Sequence, residues 1–241
     1  MNAAPVLALE GVQAGYGPFK ALFDVSFRVP QGSVVALLGS NGAGKTTVAR
    51  VCTGLVRPTA GRVRIAGVDV ARLPTWRIAR LGVAHAPEGR SVFATLTVEE
   101  NLVLAFRREV GRRGVPDALG RAFELFPRLG ERRQQLAGTL SGGEQRMLSL
   151  ARVLVHPPRV LIADELSLGL APIVVDEVYR VLAEIRDAGT SIVVVEQHVG
   201  HALALADEVV VLTKGRVALT GPVAGLGDVA DWLLPAAQRD G

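Results

Sequence analysis

Gly39-Ser40-Asn41-Gly42-Ala43-Gly44-Lys45-Thr46 decides the reading of this chain. The stretch satisfies G-x-x-x-x-G-K-[ST] in full, between a strand-like run and a helix-like run. Ser33-Val-Val-Ala-Leu-Leu38 is short and apolar, suited to a buried parallel strand. Thr46-Thr-Val-Ala-Arg-Val-Cys52 reads as the first turns of a helix. Glycines let the backbone wrap tightly enough for its N–H groups to face phosphate oxygens, and the helix N-terminus adds a favourable dipole. In such a cradle Lys45 reaches the β- and γ-phosphates and the Thr46 hydroxyl sits on Mg2+. A chance glycine-rich turn is the plain alternative, and the flanking strand and helix argue against it. Gly39, Ser40, Asn41, Gly42, Ala43, Gly44, Lys45, Thr46 and Thr47 are therefore expected to hold ATP or GTP.

Of the 241 residues 49% are hydrophobic but only 5% aromatic, which points to aliphatic strands and Ala/Leu/Val-rich helices of an α/β fold. No uninterrupted apolar run is long enough to span a bilayer; the most apolar late segment, around Ala202 to Leu212, is broken by Asp207 and Glu208. Met-Asn-Ala-Ala-Pro at the N-terminus lacks the basic and apolar regions of a secretion signal, so none is expected. Cys52 is the lone cysteine, which excludes an intramolecular disulfide and fits a reducing cytoplasm. The net charge of +4 comes from arginine, since Lys20, Lys45 and Lys214 are the only lysines. Arginines crowd the middle of the chain, at Arg107, Arg108, Arg112, Arg113, Arg121, Arg128, Arg132 and Arg133. Such a run suits nucleic acid or anionic headgroups, but a solvated helical face is the plainer reading.

Around the cradle, Val6–Leu9 and Leu22–Phe27 are strand-like, with a Gly/Pro turn at Gly15 to Pro18. Gly61–Gly67 is hairpin-like, Pro74–Arg80 is a short helix and Gly82–Ala86 a further strand. Thr97 to Pro157 reads as helical, with caps and breaks at Thr97, Gly111, Gly114, Pro116 and Ser141; Thr97-Val-Glu-Glu100 has the pattern of a capping box. From Arg159 the α/β alternation returns: strand to Ala163, helix Pro172–Asp187, strand Ser191–Val195, helix to Leu205 and strand Glu208–Leu212. A helical insert between two halves of an α/β core is the expected architecture.

Two further motifs carry chemistry. Arg159-Val-Leu-Ile-Ala-Asp164-Glu165 is an apolar strand that ends in two carboxylates. Beside a phosphate site, Asp164 is assigned to Mg2+ and Glu165 to the general base that activates water. Leu140-Ser141-Gly142-Gly143-Glu144-Gln145 is a second anion-binding helix start, offering a hydroxyl, free N–H groups and a dipole. One compact domain has no use for two such ends. Two copies facing head to tail would use both, the nucleotide lying between the cradle of one and Ser141, Gly142, Gly143 and Glu144 of the other.

On these motifs the chain resembles the ATP-binding subunit of ABC transporters, whose signature is L-S-G-G-Q; here Glu144 takes the place of the final Gln. The resemblance covers nearly the whole chain. It implies a nucleotide-binding α/β core with a mainly parallel sheet, an N-terminal antiparallel β portion and a helical insert carrying the signature motif. All of this would form one domain over residues 1–241, with the core at about 1–88 and 158–241 and the helical part at about 89–157. It also implies that Tyr16 stacks on adenine, that Ser167-Leu-Gly-Leu170 forms the loop after Glu165, and that His198 senses the γ-phosphate. Leu166 stands where proline is usual. His85, His156 and His201 match no family motif and are assigned to structure.

Pro87-Glu88-Gly-Arg90 occupies the position where the family carries a glutamine near Mg2+ and the lytic water. Glu88 adds a negative charge there, either to ligate Mg2+ more firmly or to weaken coupling until a partner arrives. The Pro-Glu-Gly-Arg form, Val92-Phe93, Leu96–Asn101, Ser167–Pro172 and Val195–Gln197 resemble the ATPases of branched-chain (hydrophobic) amino-acid importers, which often carry asparagine where this chain has His198. The implied function is ATP hydrolysis powering such an importer from the cytoplasmic face of the membrane. The implied partners are transmembrane permease subunits, a second ATPase (self or paralogue) and, indirectly, an extracytoplasmic solute-binding protein. The alternatives are urea or amide uptake, lipid export, and a soluble ATPase acting on nucleic acid or ribosomes. The last is disfavoured because no tandem cassette or coiled-coil insertion is present, and no nucleic-acid partner is expected.

Overall fold

A computed structural model describes residues 4–87, 92–154, 157–197 and 199–225. The chain opens with β1 (Leu7–Tyr16) and β2 (Phe19–Val29), then β3 (Val34–Leu38) leads through the glycine cradle into α1 (Lys45–Cys52). β4 (Ala60–Ile65), β5 (Val68–Asp69), α2 (Thr75–Arg80) and β6 (Val83–Ala86) follow. Four helices come next: α3 (Val98–Glu109), α4 (Gly111–Leu125), α5 (Pro127–Glu131) and α6 (Gly142–Leu154). β7 (Val160–Asp164), α7 (Pro172–Asp187), β8 (Ser191–Glu196), α8 (Val199–Leu205), β9 (Glu208–Thr213) and β10 (Arg216–Pro222) complete the series.

Two sheets organise these strands. The first is antiparallel, in the order β2-β1-β4-β5. The second runs β10-β9-β3-β8-β7-β6, parallel except for β10 at one edge. The parallel strands are buried on both faces, which explains their unbroken apolar runs. Alternation splits each strand between two cores. Val35, Leu37, Ile162, Val193 and Val210 join the core that includes β1, β2 and α1. Ala36, Leu38, Leu161, Val194 and Val211 join the core built with α3, α6, α7 and α8. Cys52 is buried in the first of these, as a packing residue on α1.

Most expected elements are present, with three corrections. Gly114 and Pro116 do not break the insert; both lie inside α4, whose start is marked by Gly111 at φ +70°. Pro116 would leave the Arg112 carbonyl without its helical donor, a cost that exposure to water lowers because both residues lie on the surface. β10 was not anticipated; it follows a two-residue turn in which Lys214 and Gly215 both have positive φ, the geometry favoured in tight hairpins. The run at 61–67 is half of a larger arrangement, since β4 pairs mainly with β1 and only its end turns back onto the short β5.

Three of the eight arginines in the middle of the chain pair with acids. Arg133 pairs with Glu99, Arg132 with Glu144 and Arg128 with Glu131. Arg107, Arg108, Arg112, Arg113 and Arg121 lie exposed on α3 and α4, as a solvated helical face predicts.

Candidate functional site

β3, β7 and β8 run parallel and in register, so Leu38 lies beside Glu196, and Asp164 beside Val195. Their carboxyl ends therefore open onto one edge of the sheet, where open α/β folds bind ligands. The cradle, the Asp164-Glu165 pair and Gln197 all arrive there from distant parts of the chain. A cleft of about 450 Å3 at this edge is lined by Asn41, Gly42, Gly44, Lys45, Thr46, Thr47, Glu165 and Gln197, among others.

The cradle needs its glycines for two different reasons. A Cβ on Gly39 would fall 2.5 Å from the Leu212 carbonyl oxygen of β9, so packing alone excludes a side chain. Gly44, at φ +107°, adopts a backbone that L-residues avoid, and it delivers the chain into α1. The first-turn N–H groups of α1 have no intrahelical acceptor and face the cleft end of the helix. Lys45 is 3% exposed; its Nζ donates to the carbonyls of Gly39 (2.9 Å) and Ser40 (3.3 Å) and lies 3.5 Å from Glu165 Oε1. An ammonium so held can exchange its oxygen neighbours for those of a phosphate.

Glu165 follows β7 with φ +47°, a left-handed conformation rare for a non-glycine residue. Strain of this kind is kept where surrounding bonds enforce it. Here the Glu165 N–H donates to the Val195 carbonyl at 2.8 Å, and Arg146 donates to the Glu165 carbonyl at 3.4 Å. The same guanidinium donates to the Pro87 carbonyl at 2.9 Å, so α6 ties Glu165 to the segment entering Glu88. Glu196, buried at the end of β8, accepts from both the N–H and the Oγ of Ser167 (3.0 and 2.8 Å) and fixes the loop after Glu165. Asp164 is 1% exposed, and His85 of β6 brings its Nε2 to 4.0 Å from Asp164 Oδ2. Burial, then the charge of Arg50, pushes the His85 pKa down to about 4, so the ring is neutral near pH 7.

Ser141 lies elsewhere, at the start of α6. Its Oγ accepts from the Glu144 N–H (3.3 Å) while the Glu144 carboxylate accepts from the Ser141 N–H (2.9 Å). This reciprocal capping also explains the acid at 144, which binds Arg132 at 2.9 Å. Gly143 packs against α7, where a Cβ would meet Val174 Cγ1 at 2.7 Å.

Comparison with known proteins bears directly on this arrangement. A model of the ABC transporter family matches residues 22–167, from β2 through the cradle and the capped start of α6 to Ser167. The chain belongs to the ABC transporter family. Members are ATPases, and this chain is an ABC-type ATPase that binds ATP. It is 42% identical over 215 residues to the high-affinity branched-chain amino acid transport ATP-binding protein BraG of Pseudomonas aeruginosa, covering 89% of this chain and 91% of that one. It is 37% identical to the probable branched-chain amino acid transport ATP-binding protein LivF of Archaeoglobus fulgidus, over 87% and 89% of the two chains. A solved ATP-binding subunit of an ABC transporter has the same fold, with a TM-score of 0.80 at 29% identity over 90% of each chain.

Of the residues singled out in the sequence of this ABC ATPase, Asn41, Gly42, Gly44, Lys45, Thr46, Thr47 and Glu165 line one cleft. Tyr16 ends β1 with 42% exposure and accepts a hydrogen bond from Arg50 (3.1 Å) without lining that cleft. Ser141 to Glu144 are not among the cleft residues either. Glu88 and His198 lie outside the described residues. Three contributors were not assigned a role from sequence. Gln197 was legible as the residue at the end of an apolar strand, whereas Arg146 and His85 reach the site only through packing.

Proposed function

We propose that this chain is the ATP-hydrolysing subunit of an importer for branched-chain or related small amino acids. The observation that carries the catalytic reading is the approach of Lys45 to Glu165, 3.5 Å apart at one cleft. Entering phosphates compete for the Lys45 ammonium, and its transfer to them frees the Glu165 carboxylate to orient and deprotonate water. Thr46 and Asp164 supply hard oxygen donors that suit Mg2+, which favours few protein ligands alongside water and phosphate. Bound there, Mg2+ would neutralise charge on the β- and γ-phosphates. Glu88 is assigned to the same ion, His198 to the γ-phosphate and Tyr16 to the adenine ring, all on family resemblance.

The reading continues beyond one chain. Ser141, Gly142, Gly143 and Glu144 of a second ATPase close over the nucleotide, and that second chain is a paralogue. The chain acts as one domain, with an α/β core at about 1–88 and 158–241 and a helical part at about 89–157. No helix among the described residues is long and apolar enough to cross a membrane, so attachment to the cytoplasmic face comes through permease subunits. A groove of about 420 Å3, lined by Pro87, Val92, Phe93, Ala105, Arg152 and Val153 among others, receives a short helix of the permease. Similarity to BraG and LivF supports the solute class.

The test is a capture of tagged Glu165→Gln protein with Mg·ATP from detergent-solubilised native membranes, with partners identified by mass spectrometry. Two multispanning proteins and a second ATPase are the expected result, with an amino-acid-binding protein encoded or purified alongside. Recovery of only soluble or ribosomal partners would overturn the transport reading and leave the ATPase standing.

A further inference from the structure

His85 is the one residue that lines both cavities flanking β6. On one side a cavity of about 200 Å3 is bounded by Leu55, Ile78 and Val83. On the other lies the 420 Å3 groove assigned above to the permease helix, with Phe93 and Arg152 on its wall. The ring also looks inward, since Nε2 is 4.0 Å from Asp164 Oδ2 and has no hydrogen-bond partner. Its side chain is only 15% exposed and that of Asp164 1%. A buried ring nitrogen without a partner is costly unless some state of the protein supplies one. Strand register fixes the placement, because His85 pairs with Ile162 on β7, two residues ahead of Asp164.

We propose that His85 is a positioning residue that links the partner groove to Asp164. An imidazole carrying a proton on Nε2 has a donor facing the Asp164 carboxylate. A shift of about 1 Å would turn the 4.0 Å approach into a hydrogen bond of normal length. A helix seated in the groove presses on the exposed edge of the ring and excludes water from it, and both effects favour that shift. The hydrogen bond then holds the Asp164 carboxylate in one orientation, as outer partners of metal ligands do. The proposal rests on the permease-docking reading above, and its test separates the two.

The experiment has three arms. In the first, nitrogen-15-labelled wild-type protein is followed through its histidine ring signals, with His85 assigned by loss of its signal in His85→Gln. Addition of Mg2+ with a non-hydrolysable ATP analogue, and then of the captured permease, is expected to move the Nε2 signal to a hydrogen-bonded position, and a signal unmoved at both steps would overturn the proposal. In the second, affinity for the same analogue is measured with and without Mg2+ for wild type, His85→Phe and His85→Gln. His85→Phe should lose about tenfold of the Mg2+-dependent gain with Mg2+-free affinity unchanged, and His85→Gln, which keeps a side-chain N–H, should recover most of it. Equal Mg2+ titrations, or equal loss in both variants, would assign His85 to packing alone. Stimulation of ATP hydrolysis by the captured permease is then compared. If wild type is stimulated and His85→Phe matches it, the link is refuted while docking stands; if wild type is not stimulated, docking itself fails.

Discussion

At the scale of the residue, Lys45 shows how a sequence motif becomes a poised charge. Its ammonium is nearly buried and shared by two carbonyls and one carboxylate, so it is paired before any ligand arrives. Lys45→Ala removes the cation that phosphate would recruit. A charge-assisted hydrogen bond contributes about 1.5–3 kcal/mol, so ATP affinity should fall at least about tenfold in a fluorescent-nucleotide titration. Unchanged affinity would contradict the cradle assignment. Glycine positions in the cradle were legible because they follow a short local pattern. The reason for Gly39 was not, since it is excluded from carrying a side chain by Leu212, which lies 173 residues away along the chain. His85 was assigned to structure from sequence because nothing local connects it to Asp164; two neighbouring strands make that connection.

Elements were readable where their signals are local. Thr97 caps α3 as its spacing predicts: Oγ accepts from the Glu100 N–H at 3.1 Å, and the Glu100 carboxylate accepts from the Thr97 N–H at 2.8 Å. Thr97→Ala should cost about 1 kcal/mol, seen as a fall of about 2–4 °C in Tm. No change in Tm would show that packing of Val98, Leu102 and Phe106 holds the helix start without its cap. Ser141 and Glu144 carry the same spacing and the same reciprocal bonds, in a sequence that also suits anion binding. The two readings are compatible, because a hydroxyl that accepts one bond still has a proton to donate. Pro116 was misread as a break because the rule against proline in a helix assumes a lost interior bond, and here the position is exposed.

At the scale of the whole molecule, one cleft gathers residues from the cradle, the end of β7 and the end of β8. Cradle and Glu165 line it, while the Ser141 helix start lies outside it, which is compatible with the proposed closure by a second ATPase. Under the proposed function Glu165→Gln removes the base and keeps the shape, so this variant should bind Mg·ATP and run as a dimer by size-exclusion chromatography with light scattering. A variant that stays monomeric at saturating Mg·ATP, alone and with its paralogue, would sink the clamp. Wild type under turnover should return to monomer as ATP is consumed.

Sequence by itself determined the nucleotide cradle, the carboxylate pair, the capped helix starts and the α/β alternation around a helical insert. Each of these depends on residues within a few positions of one another, so spacing is enough to read them. Tertiary structure alone decided the strand order, and with it the meeting of Lys45, Glu165 and Gln197 at one edge. It also decided the clasp of Arg146 on Pro87 and Glu165, and the approach of His85 to Asp164. Those contacts join residues far apart in the chain, and only the closing of the sheet and its two cores brings them within reach.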